Sequence, residues 1–225
     1  MLTIGHRGAM GYAPENTLLS IRKTIELSAD WVEVDVYLVD GQLIVIHDDT
    51  LERTTNGIGS IFDYSVEQLR QLDAGQGEKI PLLQEVIDLT SGKLGLNIEI
   101  KGDGVAEPLV KLLLSLSENH RKKILVSSFN MQELLTVYEG SVQLNLGVLV
   151  EDEVDDGFKW AHRLNAYSIH FDIGNIVIEQ VERAHEAKLK VYVYTVNSHH
   201  AINDMRQMGI DGVFTNYPDR VKLIL

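Results

Sequence analysis

The sequence predicts an α/β protein: a TIM (β/α)8 barrel with a small insertion between strand 2 and helix 2. Eight short runs rich in β-branched and apolar residues recur along the chain, and most are followed by a segment with helical periodicity. These runs show little alternation of apolar and polar residues, as expected for parallel strands buried on both faces. Residues 38–80 break the rhythm, and a barrel carries such an insertion on its active-site face.

The chain length fits one barrel. It has 225 residues, of which 44% are hydrophobic and 24% charged, and no Pro-, Ser- or Gly-rich linker divides it. We therefore predict one catalytic domain over residues 1–225, with the insertion at about 38–80.

The predicted elements follow one another with short connections. The eight strands are Leu2–Gly5, Trp31–Tyr37, Gly95–Ile100, Ile124–Ser128, Leu144–Val150, Tyr167–Phe171, Val191–Thr195 and Gly212–Thr215. The helices are Glu15–Leu27, a helix that Pro81 opens in its first turn, Val105–Leu116, Met131–Tyr138, Val154–His162, Ile178–Ala187 and His200–Met208. Within the insertion, Leu43–Ile46 is predicted to pair back on the second strand across the Asp40-Gly41 turn.

Charge and composition narrow the possible partners. With 33 acidic and 20 basic residues the formal net charge is −13, which disfavours nucleic acid and anionic lipid surfaces. No cysteine is present, so disulfides, thiolate metal sites and cysteine nucleophiles are excluded. We find neither a leader-like apolar stretch behind a basic start nor a run long enough to span a bilayer. We expect a cytoplasmic protein, monomeric or homodimeric, without stable membrane insertion.

Three carboxylates suggest a metal site. Glu33 and Asp35 are two apart in a buried strand, so their side chains share a face and repel each other unless a cation neutralises them. Glu99, near the end of the third strand, adds a third oxygen donor, which suits Mg²⁺ or Ca²⁺ rather than zinc. A pair of outward-facing or salt-bridged carboxylates is the competing interpretation, and the apolar neighbours of Glu33 and Asp35 favour the metal site.

Two histidines and two cations stand at strand ends as well. His6 and His47 are candidate acid–base catalysts, since imidazole titrates near neutral pH. Arg7 can hold a phosphate through two parallel hydrogen bonds, and Lys101 adds a second positive charge. We expect structural roles for His120, His162, His185, His199 and His200, with His170 intermediate because it lies near a strand end without an evident partner.

The ordered motifs resemble the glycerophosphodiester phosphodiesterase family. They are HRGAMGYAPENT (6–17), EVDV (33–36), HDDTLERTTNG (47–57), IPLLQEVI (80–87), NIEIK (97–101), VYVYTVN (191–197) and DGVFTNYP (211–218). The resemblance extends over essentially the whole chain, and the order of its first-half motifs makes it specific. Tyr194 departs from the tryptophan that many relatives have before T-V-N, which affects packing around the alcohol or glycerol group.

The resemblance implies a barrel with an insertion after strand two, and hydrolysis of glycerophosphodiesters to sn-glycerol 3-phosphate and an alcohol. It implies acid–base roles for His6 and His47 and phosphate contact by Arg7, and it matches Lys101 to the family's basic residue. The implied metal ligands, for Mg²⁺ or Ca²⁺, are Glu33, Asp35 and Glu99.

Several alternatives stay open at this point. The chain could instead be a lysophospholipase D-like or phosphoinositide phospholipase-like enzyme, or a catalytically inactive binding barrel. The preferred head group, the metal, the acid and base histidines and a cyclic phosphate intermediate are also open.

Overall fold

The computed structural model of the chain describes residues 1–140 and 143–222. Nine strands form one sheet: β1 (Leu2–Gly5), β2 (Trp31–Val39), β3 (Gln42–Val45), β4 (Gly95–Ile100), β5 (Ile124–Ser128), β6 (Asn145–Val150), β7 (Ser168–Asp172), β8 (Lys190–Tyr194) and β9 (Gly212–Thr215). All except β3 are parallel, and β1 pairs with both β9 and β2, which closes an eight-stranded barrel. The predicted TIM barrel is therefore confirmed.

Helices follow the strands around the barrel. They are α1 (Leu18–Glu26), α2 (Val66–Leu69), α3 (Leu83–Thr90), α4 (Ala106–Leu114), α5 (Glu118–Arg121), α6 (Met131–Glu139), α7 (Val154–Arg163), α8 (Ile178–Glu186), α9 (His199–Gln207) and α10 (Pro218–Lys222). The main core lies between these helices and the outer face of the barrel, where fully buried side chains such as Ile98, Leu109 and Val126 pack together. Across the described ranges, no helix has the length and apolar character needed to cross a bilayer.

The insertion has a small core of its own. β3 runs antiparallel to β2 across a tight turn in which Asp40 and Gly41 both have positive φ, as a type I′ hairpin requires. A 3₁₀ turn (Ile61–Asp63) and α2 follow. Their apolar side chains form a second cluster: Val39, Ile44, Ile46, Leu51, Ile61, Val66, Leu69, Ala74 and Ile80. The insertion thereby places the end of β3 against the barrel rim.

Two predicted helix starts were wrong for local reasons. Residues 15–17 lie outside α1, because Asn16 has a left-handed backbone (φ 56°) and Thr17 caps the helix. Pro81 lies before α3 rather than in its first turn, since its carbonyl accepts a hydrogen bond from the Val45 amide (2.9 Å). The predicted single domain includes residues 141–142 and 223–225, which lie outside the described residues, and it stays a prediction.

Candidate active site

All seven predicted site residues meet at the carboxyl ends of four neighbouring strands. His6 and Arg7 follow β1, Glu33 and Asp35 lie in β2, His47 follows β3, Glu99 lies in β4 and Lys101 follows it. Six of them line a cavity of about 330 Å³: His6, Arg7, Glu33, His47, Glu99 and Lys101. The seventh, Asp35, lies within 4.0 Å of Arg7 and of Lys101. Wider surface depressions of about 640 and 730 Å³ contain none of these residues.

The three carboxylates form one acidic cluster. One oxygen from each of Glu33, Asp35 and Glu99 lies within 4.8 Å of the other two. Burial raises the pKa of Glu33 well above its usual value, and the charges of Asp35 and Glu99 raise it further. Burial and Glu99 likewise raise the pKa of Asp35 to about 6. Glu33 Oε1 is buried and has no hydrogen-bond partner among the described residues, so an oxygen donor is available for a cation.

Arg7 is tied to the acidic cluster at several atoms. Its backbone amide donates to Glu33 Oε2 (2.8 Å), and its Nε lies 3.3 Å from Asp35 Oδ2. Its Nη1 donates to Glu15 Oε1 (2.9 Å). Burial lowers the pKa of Arg7, but Asp35, Glu33 and Glu15 together raise it above its usual value, so the guanidinium keeps its charge. The anchored side chain is held at the cavity wall.

A tight turn aims Arg7 into this position. Both Arg7 (φ 50°) and Gly8 (φ 83°) have left-handed backbones as the chain leaves β1. A Cβ at Gly8 would lie 2.2 Å from Ser20 Oγ, so no larger residue fits there. Ser20 Oγ in turn donates to the Arg7 carbonyl (3.0 Å), which fixes the turn against α1.

Lys101 links the acidic cluster to a histidine. Its Nζ donates to Glu99 Oε1 (3.0 Å), lies 4.0 Å from Asp35 Oδ1, and stands 3.4 Å from His47 Nε2. Burial lowers the pKa of Lys101, but Glu99 and Asp35 raise it above its usual value. The ammonium therefore adds a fixed positive charge beside His47.

The two histidines have different partners. His6 Nδ1 contacts Asn216 Oδ1 (2.9 Å), an oxygen that can only accept, so Nδ1 carries a proton and Nε2 is the acceptor. Burial, and then the charge of Arg7, lower the pKa of His6 to about 4 and keep it neutral. His47 Nδ1 contacts Asp48 Oδ1 (2.6 Å). Hydrogen bonds from Arg53, and from His47 itself, lower the pKa of Asp48 to about 2, so this partner is a carboxylate.

Sequence reasoning assigned no role to five residues that hold the site together. Asn16 Nδ2 donates to Asp35 Oδ2 (2.8 Å), and Asn216 orients His6 as described above. Arg53 joins Asp48 to Glu15 through four hydrogen bonds of 2.5 to 3.0 Å. All five lie inside the motifs quoted above, and this membership was the sequence feature that could have identified them. Their partners could not be identified in the same way, because those partners are distant in sequence or depend on loop geometry.

His170 has a structural environment. It is fully buried in the barrel interior, where its Nε2 contacts Ser168 Oγ (2.8 Å) and its ring packs on Tyr192 and Phe214. Burial lowers its pKa to about 3. His170 is absent from the residues that line the 330 Å³ cavity.

Known proteins that are similar to this chain include phosphodiesterases, which agrees with the geometry of the site. A family model described as the glycerophosphoryl diester phosphodiesterase family matches residues 6–220. The chain belongs to this family. A glycerophosphodiester phosphodiesterase from Caldanaerobacter subterraneus subsp. tengcongensis is 38% identical over 230 residues, which cover 97% of this chain and 95% of the relative.

Solved structures of the family share the barrel. An Oleispira antarctica phosphodiesterase in complex with the product sn-glycerol-3-phosphate superposes with a TM-score of 0.91 and 32% identity, covering 99% of this chain and 96% of that one. A Thermotoga maritima glycerophosphodiester phosphodiesterase has a TM-score of 0.82 and 29% identity, covering 99% and 98%. The resemblance drawn from the motifs and the assignment to the phosphodiester hydrolases are both confirmed.

Proposed function

We propose that the chain hydrolyses glycerophosphodiesters to sn-glycerol 3-phosphate and a free alcohol, by a metal-dependent reaction with His6 and His47 as acid–base pair. The observation that carries the proposal is that two histidines, two cations and two carboxylates line one cavity, and that Asp35 joins those two carboxylates in one acidic cluster. The Oleispira relative, which shares 32% of its residues with this chain, binds the product named here.

Glu33, Asp35 and Glu99 would hold the metal ion. The fit rests on the buried, unpartnered Glu33 Oε1 and on the raised pKa values of Glu33 and Asp35, because a divalent cation would neutralise the negative charge that burial and mutual repulsion disfavour. An all-oxygen donor set suits Mg²⁺ or Ca²⁺. When bound, such an ion supplies Lewis-acid stabilisation of negative charge on a phosphoryl oxygen.

Arg7 and Lys101 would bind the phosphate from two sides. Arg7 is fixed by Glu15 and Asp35, and Lys101 by Glu99, so neither cation needs to reorganise as charge develops on the phosphoryl oxygens. Preorganised donors of this kind favour the transition state over the ground state.

His6 would take the proton of the attacking oxygen, which is a water or the glycerol 2-hydroxyl. Its Nε2 is unprotonated because Asn216 holds the proton on Nδ1, and its low pKa keeps the ring neutral at pH 7. His47 would protonate the departing alkoxide, since the Asp48 carboxylate, 2.6 Å from Nδ1, stabilises a positively charged ring and is closer to it than the opposing Lys101 ammonium, 3.4 Å from Nε2.

The test is release of glycerol 3-phosphate from glycerophosphocholine and glycerophosphoglycerol, with Mg²⁺, with Ca²⁺ and with excess chelator. We expect release that the chelator abolishes, and a Glu33→Gln variant that needs more metal for half-maximal rate. Full activity in excess chelator would refute the metal dependence. If no glycerol 3-phosphate is released under any condition, the chain would instead be a catalytically inactive binding barrel.

A lysophospholipid substrate is the alternative to separate from this one. Phe62 on the insertion is 56% exposed and packs against Tyr37 (ring centroids 6.0 Å), while Ile58 nearby is 75% exposed. Faster turnover of lysophosphatidylcholine than of glycerophosphocholine would favour this alternative.

Several expectations about location and partners stay predictions. We expect a cytoplasmic protein that is a monomer or a homodimer. We also expect that it does not bind nucleic acid and does not insert stably into a membrane.

A further inference from the structure

The rim of the barrel divides into two chemically different halves. The residues assigned above to phosphate and metal come from β1 to β4. The other half of the cavity wall comes from β5 to β9: Phe129, Leu149, Glu151, Tyr194, Thr195 and Phe214. No lysine, arginine or histidine belongs to this second half of the wall. The reaction proposed above assigns these six residues no role.

Aromatic rings dominate this second half. Phe129 follows β5 and Tyr194 ends β8, and their rings meet edge to face with centroids 6.1 Å apart. Phe129 is 39% exposed although it lines a concave site, so part of its ring is available to a ligand. Tyr194 packs in the same way on Phe214 (6.5 Å), and its hydroxyl donates to the Val150 carbonyl (3.0 Å). The hydroxyl is thereby occupied, which leaves the ring as the contact surface.

Glu151 adds a negative charge to this aromatic wall. It follows β6, directly after the residue whose carbonyl binds Tyr194. Glu151 and Tyr194 line the same cavity. Burial raises the pKa of the Tyr194 hydroxyl, and the negative charges of Glu151 and Asp172 raise it further. Among the described residues that line the cavity, Glu33 accepts from Arg7 and Glu99 from Lys101, whereas the Glu151 carboxylate has neither an ion pair nor a hydrogen bond.

We propose that Phe129, Tyr194 and Glu151 form a subsite for a positively charged head group, an ammonium or quaternary ammonium, on the departing alcohol. Aromatic faces and a carboxylate are the groups that attract such a cation, while glycerol hydroxyls need hydrogen-bond partners. Lys101 lies 5.9 Å from the Phe129 ring on the phosphate side, but its charge is balanced by Glu99 and Asp35. The subsite rests on the proposed function, because it selects among substrates of that reaction.

Selectivity rather than rate is the measurement that tests the subsite. The probes are glycerophosphocholine, which is cationic in its head group, and glycerophosphoglycerol, whose head group is neutral. We expect Glu151→Gln to lower the ratio of their kcat/KM values by roughly three- to fivefold, the size of one opposite charge at a partly exposed site. Phe129→Leu should lower the same ratio by about two- to fivefold. In both variants the change should come from KM for the cationic substrate, because the contact exists before the transition state.

Glu153→Gln is the matched control. Glu153 is an exposed acid two residues away whose side chain makes no capping bond at the start of α7, and it is absent from the cavity wall. The substitution removes the same charge from the same connection, so it should leave the ratio unchanged. Added salt should weaken the wild-type preference and leave Glu151→Gln little affected.

Two outcomes would overturn the subsite. An unchanged ratio in Glu151→Gln and Phe129→Leu would show that the wall does not sense head-group charge. An equal loss on both probes would place the common glycerol moiety, rather than the head group, against this wall. If wild type releases glycerol 3-phosphate from neither probe, the proposed function has failed as well, whereas both outcomes above require an active wild-type enzyme.

Discussion

Asp48 is the residue whose removal best tests the division of labour between the two histidines. Its carboxylate accepts from His47 Nδ1 at 2.6 Å and is itself held by Arg53 through Nε (2.5 Å) and Nη2 (3.0 Å). Asp48→Asn keeps the shape of the side chain but removes the charge. The variant therefore tests whether that charge stabilises a protonated His47 during turnover.

The expected loss follows from the geometry of this contact. A hydrogen bond to a charged group contributes about 1.5–3 kcal/mol, and the short distance together with the anchoring by Arg53 places this one in that class. If the contribution is made chiefly in the transition state, kcat for an alkyl-alcohol diester should fall about 10- to 150-fold. Asp49→Asn is the control, because Asp49 is the exposed acid next in the chain and should change kcat little.

Two leaving groups make the assay specific to proton donation. The natural type of diester releases an alkoxide, which must be protonated, whereas a glycerophosphoryl p-nitrophenyl diester releases a stable phenolate. Asp48→Asn should slow the first reaction and largely spare the second, because an activated leaving group needs no acid. Equal losses on both diesters would refute the assignment of His47 as the acid and would place it on the attacking side.

Two further predictions concern the other histidines. His6→Ala should lower kcat by about 10²- to 10⁴-fold for both leaving groups while the thermal midpoint stays close to wild type, measured by glycerol 3-phosphate release and thermal unfolding. His170 binds a proton below pH 6.5 when unfolded but only near pH 3 when folded, so the folded state loses stability as pH falls through that window. As pH falls from 6.5 to about 5, the unfolding free energy of wild type should decrease by about 2 kcal/mol more than that of His170→Gln. Urea denaturation at each pH measures both decreases. Equal decreases would contradict a neutral, buried His170.

The sequence was sufficient to predict the barrel because its signal is local. Each parallel strand is buried on both faces, so it appears as a short run of mainly apolar and small residues without regular alternation, such as Ile124–Ser128, which the structure reproduces to the residue. Helix starts were less predictable, because they depend on contacts made elsewhere. The left-handed Asn16, whose side chain pairs with Asp35 nineteen residues away, shortens α1 in a way that helical periodicity alone could not indicate.

The sequence allowed the seven site residues to be predicted, but it did not allow the hydrogen-bond partners that orient them to be predicted. The seven residues could be chosen because strand ends in a barrel converge, whatever their separation in sequence. The partners that orient them could not be chosen by that rule. Asn216 reaches His6 from 210 residues away, and Arg53 reaches Glu15 from across the insertion, so both contacts depend on the closed fold.

The charge distribution explains how a chain of net charge −13 can bind an anionic diester. Arg7 and Lys101 are the cations at the cavity, and each is already engaged by carboxylates of the acidic cluster or by Glu15. Without a cation the approaching phosphate meets Glu33, Asp35 and Glu99 as well, and the repulsion offsets the attraction. A divalent ion on these carboxylates would reverse that balance, because it would neutralise their charge and leave the positive charges of Arg7 and Lys101 to attract the substrate. With such an ion bound, the acidic cluster and the phosphate site would act as one electrostatic unit, and we expect metal binding to come before substrate binding.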